Sequence, residues 1–172
     1  MEVELTGRFV YDERLDAKRP GMLVVHDGAG LDDHAVEQAT RLAELGLVAF
    51  ACDMYGHEVA GDRERTVAAV TTLRDDPVMM VRRAAAALEM LASHPEVNRR
   101  LGVIGYCFGG LIALQLARSG TAISAAIGVH GSLATSSPAK PGEINARILA
   151  CHGPLDPFVP PAQVLEFVEE MN

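Results

Sequence analysis

Three stretches of this chain carry side chains that could do covalent chemistry. They are Gly105-Tyr106-Cys107-Phe108-Gly109-Gly110, His26-Asp27-Gly28-Ala29-Gly30, and Cys151 to Pro160 with Asp156 inside it. In the first, a glycine stands two residues before a cysteine and another two after it. That is a nucleophile-elbow pattern with cysteine as the reacting side chain. The glycines have a physical cause: the turn is so tight that side chains there would strike neighbouring backbone. The middle side chain is pushed out above the sheet, and the N-terminus of the following helix favours negative charge there. Free cysteine more often packs as a small hydrophobe. The apolar run Leu101 to Ile104 before the motif and the helical pattern Leu111 to Ala117 after it favour the nucleophile for Cys107. Cys52 and Cys151 each end an apolar run without such a turn, and both read as core residues.

A cysteine nucleophile needs a base, a group to orient that base, and donors for an oxyanion. Asp156 suits the orienting acid, because it lies just past a strand and follows the nucleophile in chain order. An aspartate before Pro157 also reads as a turn residue, and position and order favour the acid. One oxyanion donor is expected at the backbone N–H of Phe108, the other near Gly28 in the loop after the first parallel strand. Histidine should follow the acid, yet none occurs after Asp156. His34, His57 and His94 read as surface or turn residues. His130 and His152 fall near strand ends and could approach Cys107, although a hydrogen-bonded structural histidine is the favoured reading of both. A metal site from His26, Asp27, His130 and His152 lacks tight ligand spacing, so no metal is expected.

The elements that must hold these residues alternate. Met22 to His26 reads as a strand, and Asp33 to Leu45 as a helix with Asp32 or Asp33 as N-cap and Gly46 as its stop. Leu47 to Ala51 is a strand. A polar excursion follows from Asp53 to Asp76, in which Glu64 to Leu73 suits a short helix. Pro77 opens a helix to Ser93. After the elbow come a strand over Ala122 to Val129, a loop over Gly131 to Glu143, a strand over Arg147 to His152 and a helix over Pro161 to Met171. Val3 to Leu5 and Arg8 to Val10 suit antiparallel edge strands. This alternation predicts a mostly parallel sheet covered on both faces, with reactive groups at the strands' carboxyl ends.

At 172 residues the chain is expected to be one domain, and with 49% hydrophobic residues it is globular. A net charge of −8 argues against binding nucleic acid or anionic membranes. Three widely spaced cysteines make no disulfide framework, which points to a reduced, cytoplasmic setting. No signal-peptide pattern or membrane-spanning apolar run is present.

With the GYCFGG elbow, the HDGAG loop and the CHGPLDPFVP segment placed, the chain from about Pro20 onward resembles the dienelactone hydrolase family. The segment Asp53 to Glu58 is similar to the family's stretch after the second parallel strand. The resemblance implies an α/β-hydrolase-like three-layer sandwich and a Cys-Asp-His triad. Cys107 would be the nucleophile and Asp156 the acid. Asp27 would be a thiol-activating carboxylate, standing where the best-known members carry the longer glutamate. The family's histidine, last strand and last helix would fall beyond Asn172. A sheet ending at that point is expected to leave an edge and part of the elbow helix uncovered, favouring a homodimer or instability. The implied activity is hydrolysis of a small ester or lactone through an acyl-enzyme, with no cofactor. Arg63, Arg65 and Arg74 stay open as partners for a substrate carboxylate. A catalytically silent scaffold binding a small molecule or partner chain is the alternative. Redox sensing at Cys107 is weaker, with no resolving cysteine nearby in sequence.

Overall fold

A computed structural model describes residues 4–56, 59 and 61–172. Its elements run β1 (Gly7–Val10), β2 (Arg19–Val25), α1 (Asp33–Glu44), β3 (Val48–Cys52), α2 (Arg63–Asp75), α3 (Pro77–Ser93), β4 (Val97–Tyr106), α4 (Phe108–Arg118), β5 (Ala125–Val129), β6 (Arg147–Cys151) and α5 (Pro161–Met171). They form one six-stranded sheet in the order β1-β3-β2-β4-β5-β6. Only β1 runs antiparallel, against β3. Of the two expected N-terminal strands, Arg8 to Val10 lies within β1. Glu4 and Leu5 are not strand, and Val3 lies outside the described residues.

The helices start where the sequence can satisfy their free N–H groups. Asp32, Asp62 and Asp76 accept from the first turns of α1, α2 and α3. Proline opens α3 and α5, where its missing N–H costs nothing.

Both sheet faces are covered, with the layers unequal. On one face, Leu23, Val25, Phe50 and Val103 pack against α3 and α4 through Met80, Leu88, Leu91, Ile112 and Leu116. Each such side chain contributes roughly 1.5–3 kcal/mol by leaving water. On the other face, Val24, Ala49, Ala51 and Ile104 pack beneath Ala39 and Leu42 of α1. The helix α5 lies against α4 and β6 through Phe167, Leu114 and Ile148.

Two expectations are corrected here. The elbow helix is not uncovered, since every residue of α4 is buried between the sheet, α3 and α5. Its last residue, Arg118, is 2% exposed and pairs with Glu170 of α5 at 2.7 Å. Cys151 is not a core residue but an exposed one. Alternation along the edge strand β6 sends Ile148 and Ala150 toward α5, and Leu149 and Cys151 to the opposite face. Leu149 is 53% exposed there.

The neighbours of β2 are β3 on one side and β4 on the other. The connections from β2 to β3 and from β3 to β4 therefore run in opposite directions across the sheet. Such a reversal opens a crevice at the strands' carboxyl ends. The HDGAG loop leaves β2 there, and the elbow leaves β4 beside it.

Candidate active site

Cys107 links β4 directly to α4 and has φ 52°, ψ −113°. This is strained for a residue with a Cβ, and such strain gathers at functional sites. The turn is fixed by its backbone: Cys107 N–H donates to Val129 C=O at 2.8 Å, and Gly110 N–H donates to Cys107 C=O at 3.0 Å. The two elbow glycines are needed for space. A Cβ at Gly105 would overlap the Gly109 carbonyl, and one at Gly109 would overlap the carbonyls of Val25 and His26. The start of α4 therefore sits directly on the end of β2, and the Cys107 side chain is exposed above both.

Phe108 N–H, at the first position of α4, and Gly28 N–H have no acceptor among the described residues. A Cβ at Gly28 would meet nothing within 4 Å, so this backbone is open to whatever enters the crevice. Asp27 shapes the same loop, with its Oδ1 accepting from Ala29 N–H at 2.7 Å. No hydrogen bond between Asp27 and Cys107 occurs.

Asp156 does the work of a turn and also faces a histidine. Its Oδ1 accepts from Phe158 N–H at 2.9 Å. Its Oδ2 lies 2.7 Å from His130 Nδ1, and the carboxylate side chain is 3% exposed against 54% for the imidazole. The approach is close but off the line of a hydrogen bond, which leaves Oδ2 without an aligned donor. His130 sits at the end of β5 with φ 55°. Cys107 and His130 are the only non-glycine residues with positive φ among the described residues. They directly follow Tyr106 and Val129, which are partners in the β4–β5 ladder. His152 instead turns Nδ1 to the Gly153 carbonyl at 3.1 Å.

His26 is 1% exposed and is fully used inside the fold. Met54 N–H donates to its Nε2 at 3.0 Å. Nε2 is therefore the lone-pair nitrogen, and Nδ1–H donates to the Asp27 carbonyl at 2.6 Å. No metal could be held without breaking one of these bonds. Among the described residues, no group of three or more His, Cys, Asp or Glu could hold a metal ion. Burial holds the His26 pKa below the ordinary histidine value, against the weaker upward pull of the Asp27 carbonyl and of Asp53. A lowered folded-state pKa stabilises the fold above the unfolded value, near pH 6.5, and that contribution is lost as pH falls below it. Urea midpoints should therefore fall from pH 7 to pH 5. Ring nitrogen shifts should show folded His26 staying neutral to a lower pH than the urea-unfolded chain does. A folded His26 that gains its proton at the same pH as the unfolded chain would contradict the hydrogen bonds described.

A groove of about 580 Å³ runs from Gly28 and Ala29 along α2, past Thr66, Val67 and Val70, with Arg63 and Arg74 at its rim. Arg65 stands 3.4 Å from Asp62. Of the Asp53 to Glu58 segment, His57 and Glu58 lie outside the described residues. No helix among the described residues is long and apolar enough to cross a membrane.

The sequence profile of the dienelactone hydrolase family matches residues 8–172. This chain belongs to that family. Among solved structures, it superposes on m3DLH with a TM-score of 0.90 and 38% identity, covering 98% of this chain and 71% of that one. The dienelactone hydrolase-like promiscuous phosphotriesterase from metagenomic libraries gives a TM-score of 0.88 and 34% identity, over 97% and 76% of the two chains. Among curated proteins, a probable 2-oxo-3-(5-oxofuran-2-ylidene)propanoate lactonase from Bradyrhizobium sp is 32% identical, over 89% of this chain and 66% of that protein. The chain thus spans less than two thirds of that relative's length. The α/β-hydrolase-like fold expected from the family is the fold observed.

Sequence reasoning missed the parts played by His26 and Tyr55. Tyr55 O–H lies 3.4 Å from the carbonyl oxygens of both Asp27 and Gly28. Its ring stacks on Phe108 and meets His26 edge-on.

Proposed function

We propose that this family member hydrolyses an ester or lactone through Cys107. The reading is carried by the elbow: a strained, exposed cysteine beside two backbone N–H groups with no acceptor of their own among the described residues. The Cys107 thiol gives its proton to an imidazole, its sulfur adds to the substrate carbonyl carbon, and the C=O electron pair moves to oxygen, facing the N–H groups of Phe108 and Gly28. The C–O bond then breaks, the alkoxide takes a proton from imidazolium, and a thioester on Cys107 remains. Water attacks the thioester with imidazole as general base, which frees the acid and restores the thiol. Asp156 orients the imidazole, and within this chain the imidazole against Asp156 is His130. With Nδ1 turned to the acid, Nε2 is the nitrogen left to exchange protons with sulfur and leaving group. Asp27 is proposed as the thiol-activating carboxylate, through the oxygen not spent on Ala29. The groove along α2 would take the body of the substrate. Its arginines Arg63 and Arg74 suit a substrate that carries negative charge.

Peptide mass mapping after mixing with a small activated aryl ester tests this reading. The acyl group is expected on Cys107, and steady-state hydrolysis should fall about 100-fold in Asp156→Asn and in His130→Gln, a usual share for general acid–base catalysis. Acylation elsewhere would overturn the nucleophile. Full activity in His130→Gln would pass the base role to another imidazole.

A further inference from the structure

We infer that Tyr55, with His26 beside it, is a positioning residue for the oxyanion donor Gly28 N–H. The inference rests on the proposed role of Gly28 and adds two residues that hold it.

The Asp27 carbonyl and the Gly28 N–H belong to one peptide unit. That unit is trans, as are all the described peptide bonds, so its C=O and N–H point in opposite directions. Whatever grips the carbonyl therefore aims the N–H. Two donors grip it from within the fold: His26 Nδ1–H at 2.6 Å and Tyr55 O–H at 3.4 Å. The Tyr55 proton is shared with the next carbonyl, that of Gly28, also at 3.4 Å. Both carbonyls are drawn toward the buried side, and Gly28 N–H is left facing the crevice. Hydrogen bonds at a carbonyl also polarise its peptide, which makes the N–H on the same unit a stronger donor.

Neither gripping group can turn away. Met54 N–H fixes the His26 tautomer. Tyr55 is 4% exposed, and its own N–H is held at 2.8 Å by Asp53 Oδ1, while Asp53 Oδ2 takes Gly56 N–H. Burial, and then the negative charges of Asp27, Cys107 and Asp53, push the phenol above its ordinary value, so it stays a donor at neutral pH. The same ring stacks on Phe108, whose N–H is the other oxyanion donor, with centroids 6.1 Å apart. Tyr55 thus touches both walls of the oxyanion site from behind and does not enter it.

Tyr55→Phe deletes the hydroxyl and keeps the ring contacts. Hydrolysis of an activated aryl ester should lose about tenfold in kcat, with KM within about twofold. That loss is smaller than the 10²–10³ typical of deleting an oxyanion donor outright. Alkylation of Cys107 by iodoacetamide is a displacement at saturated carbon that develops no oxyanion, and its rate should match wild type. An unchanged kcat would overturn the inference. So would an alkylation rate that falls in step with kcat, since Tyr55 would then act on the thiol or on the fold. Cys107→Ala in the same assay separates the two levels: hydrolysis that survives it defeats the proposed function, whatever Tyr55→Phe does.

Discussion

Cys107→Ala should bring ester hydrolysis down by at least about 10³-fold, because no other side chain at the elbow can form the covalent intermediate. The fold should survive. The side chain is exposed and makes no capping hydrogen bond, so its removal leaves neither a cavity nor an unpaired buried group. The strained backbone at φ 52° is shared by alanine and cysteine alike. Thermal melting within about 2 °C of wild type, beside lost activity, would assign the loss to chemistry; at this chain length such a shift is roughly 1 kcal/mol or less. Cys107→Ser should fall between the two, since its hydroxyl occupies the same site but ionises far less readily. Wild-type rates in the alanine variant would remove cysteine from the reaction.

Gly105→Ala should be strongly destabilising for the addition of a single methyl group. The added carbon would overlap the Gly109 carbonyl and crowd Gly110 N, and both are backbone atoms of the elbow helix. That helix is buried along its whole length, so it cannot step aside without breaking contacts with β4, α3 and α5. A cost of roughly 4 kcal/mol, or a Tm drop of about 10 °C, is expected. Gly153→Ala is the matched control. Its added methyl group meets nothing within 4 Å, and its backbone is not in the positive-φ region. Equal melting temperatures for the two variants would contradict the elbow packing.

Where local rules govern an element, the sequence announced it. Pro77 to Ser93 and Pro161 to Met171 are helices over the expected spans, because proline marks the first position of each. The parallel order followed from strand–helix alternation, and the elbow from two glycines around a cysteine. Where pairing governs, the sequence was silent. The strand β4 begins at Val97, well before Leu101, since Arg19 of β2 pairs with Val97 through a polar stretch containing Arg99 and Arg100. Cys151 read as core because an apolar run does not say which of its faces will be covered. His130 and Asp156 stand 26 positions apart in the chain and meet only because β5 and β6 are neighbours. The grip of Tyr55 on the Asp27 and Gly28 carbonyls leaves no local trace either, since it spans the crossover from β2 to the end of β3.

The three thiols occupy three different environments within one molecule. Cys52 is sealed in the core, and burial pushes it up to about 12. Cys151 is open to water on an ordinary strand, and Cys107 is open to water at the elbow. A chemist probing this chain therefore has a reference in every tube. Cys151 reports how fast a plain accessible thiol reacts under the chosen buffer, temperature and reagent. Cys52 reports whether the fold has opened during the run. The ratio of modification at Cys107 to that at Cys151 then measures activation at the elbow free of protein concentration and reagent purity.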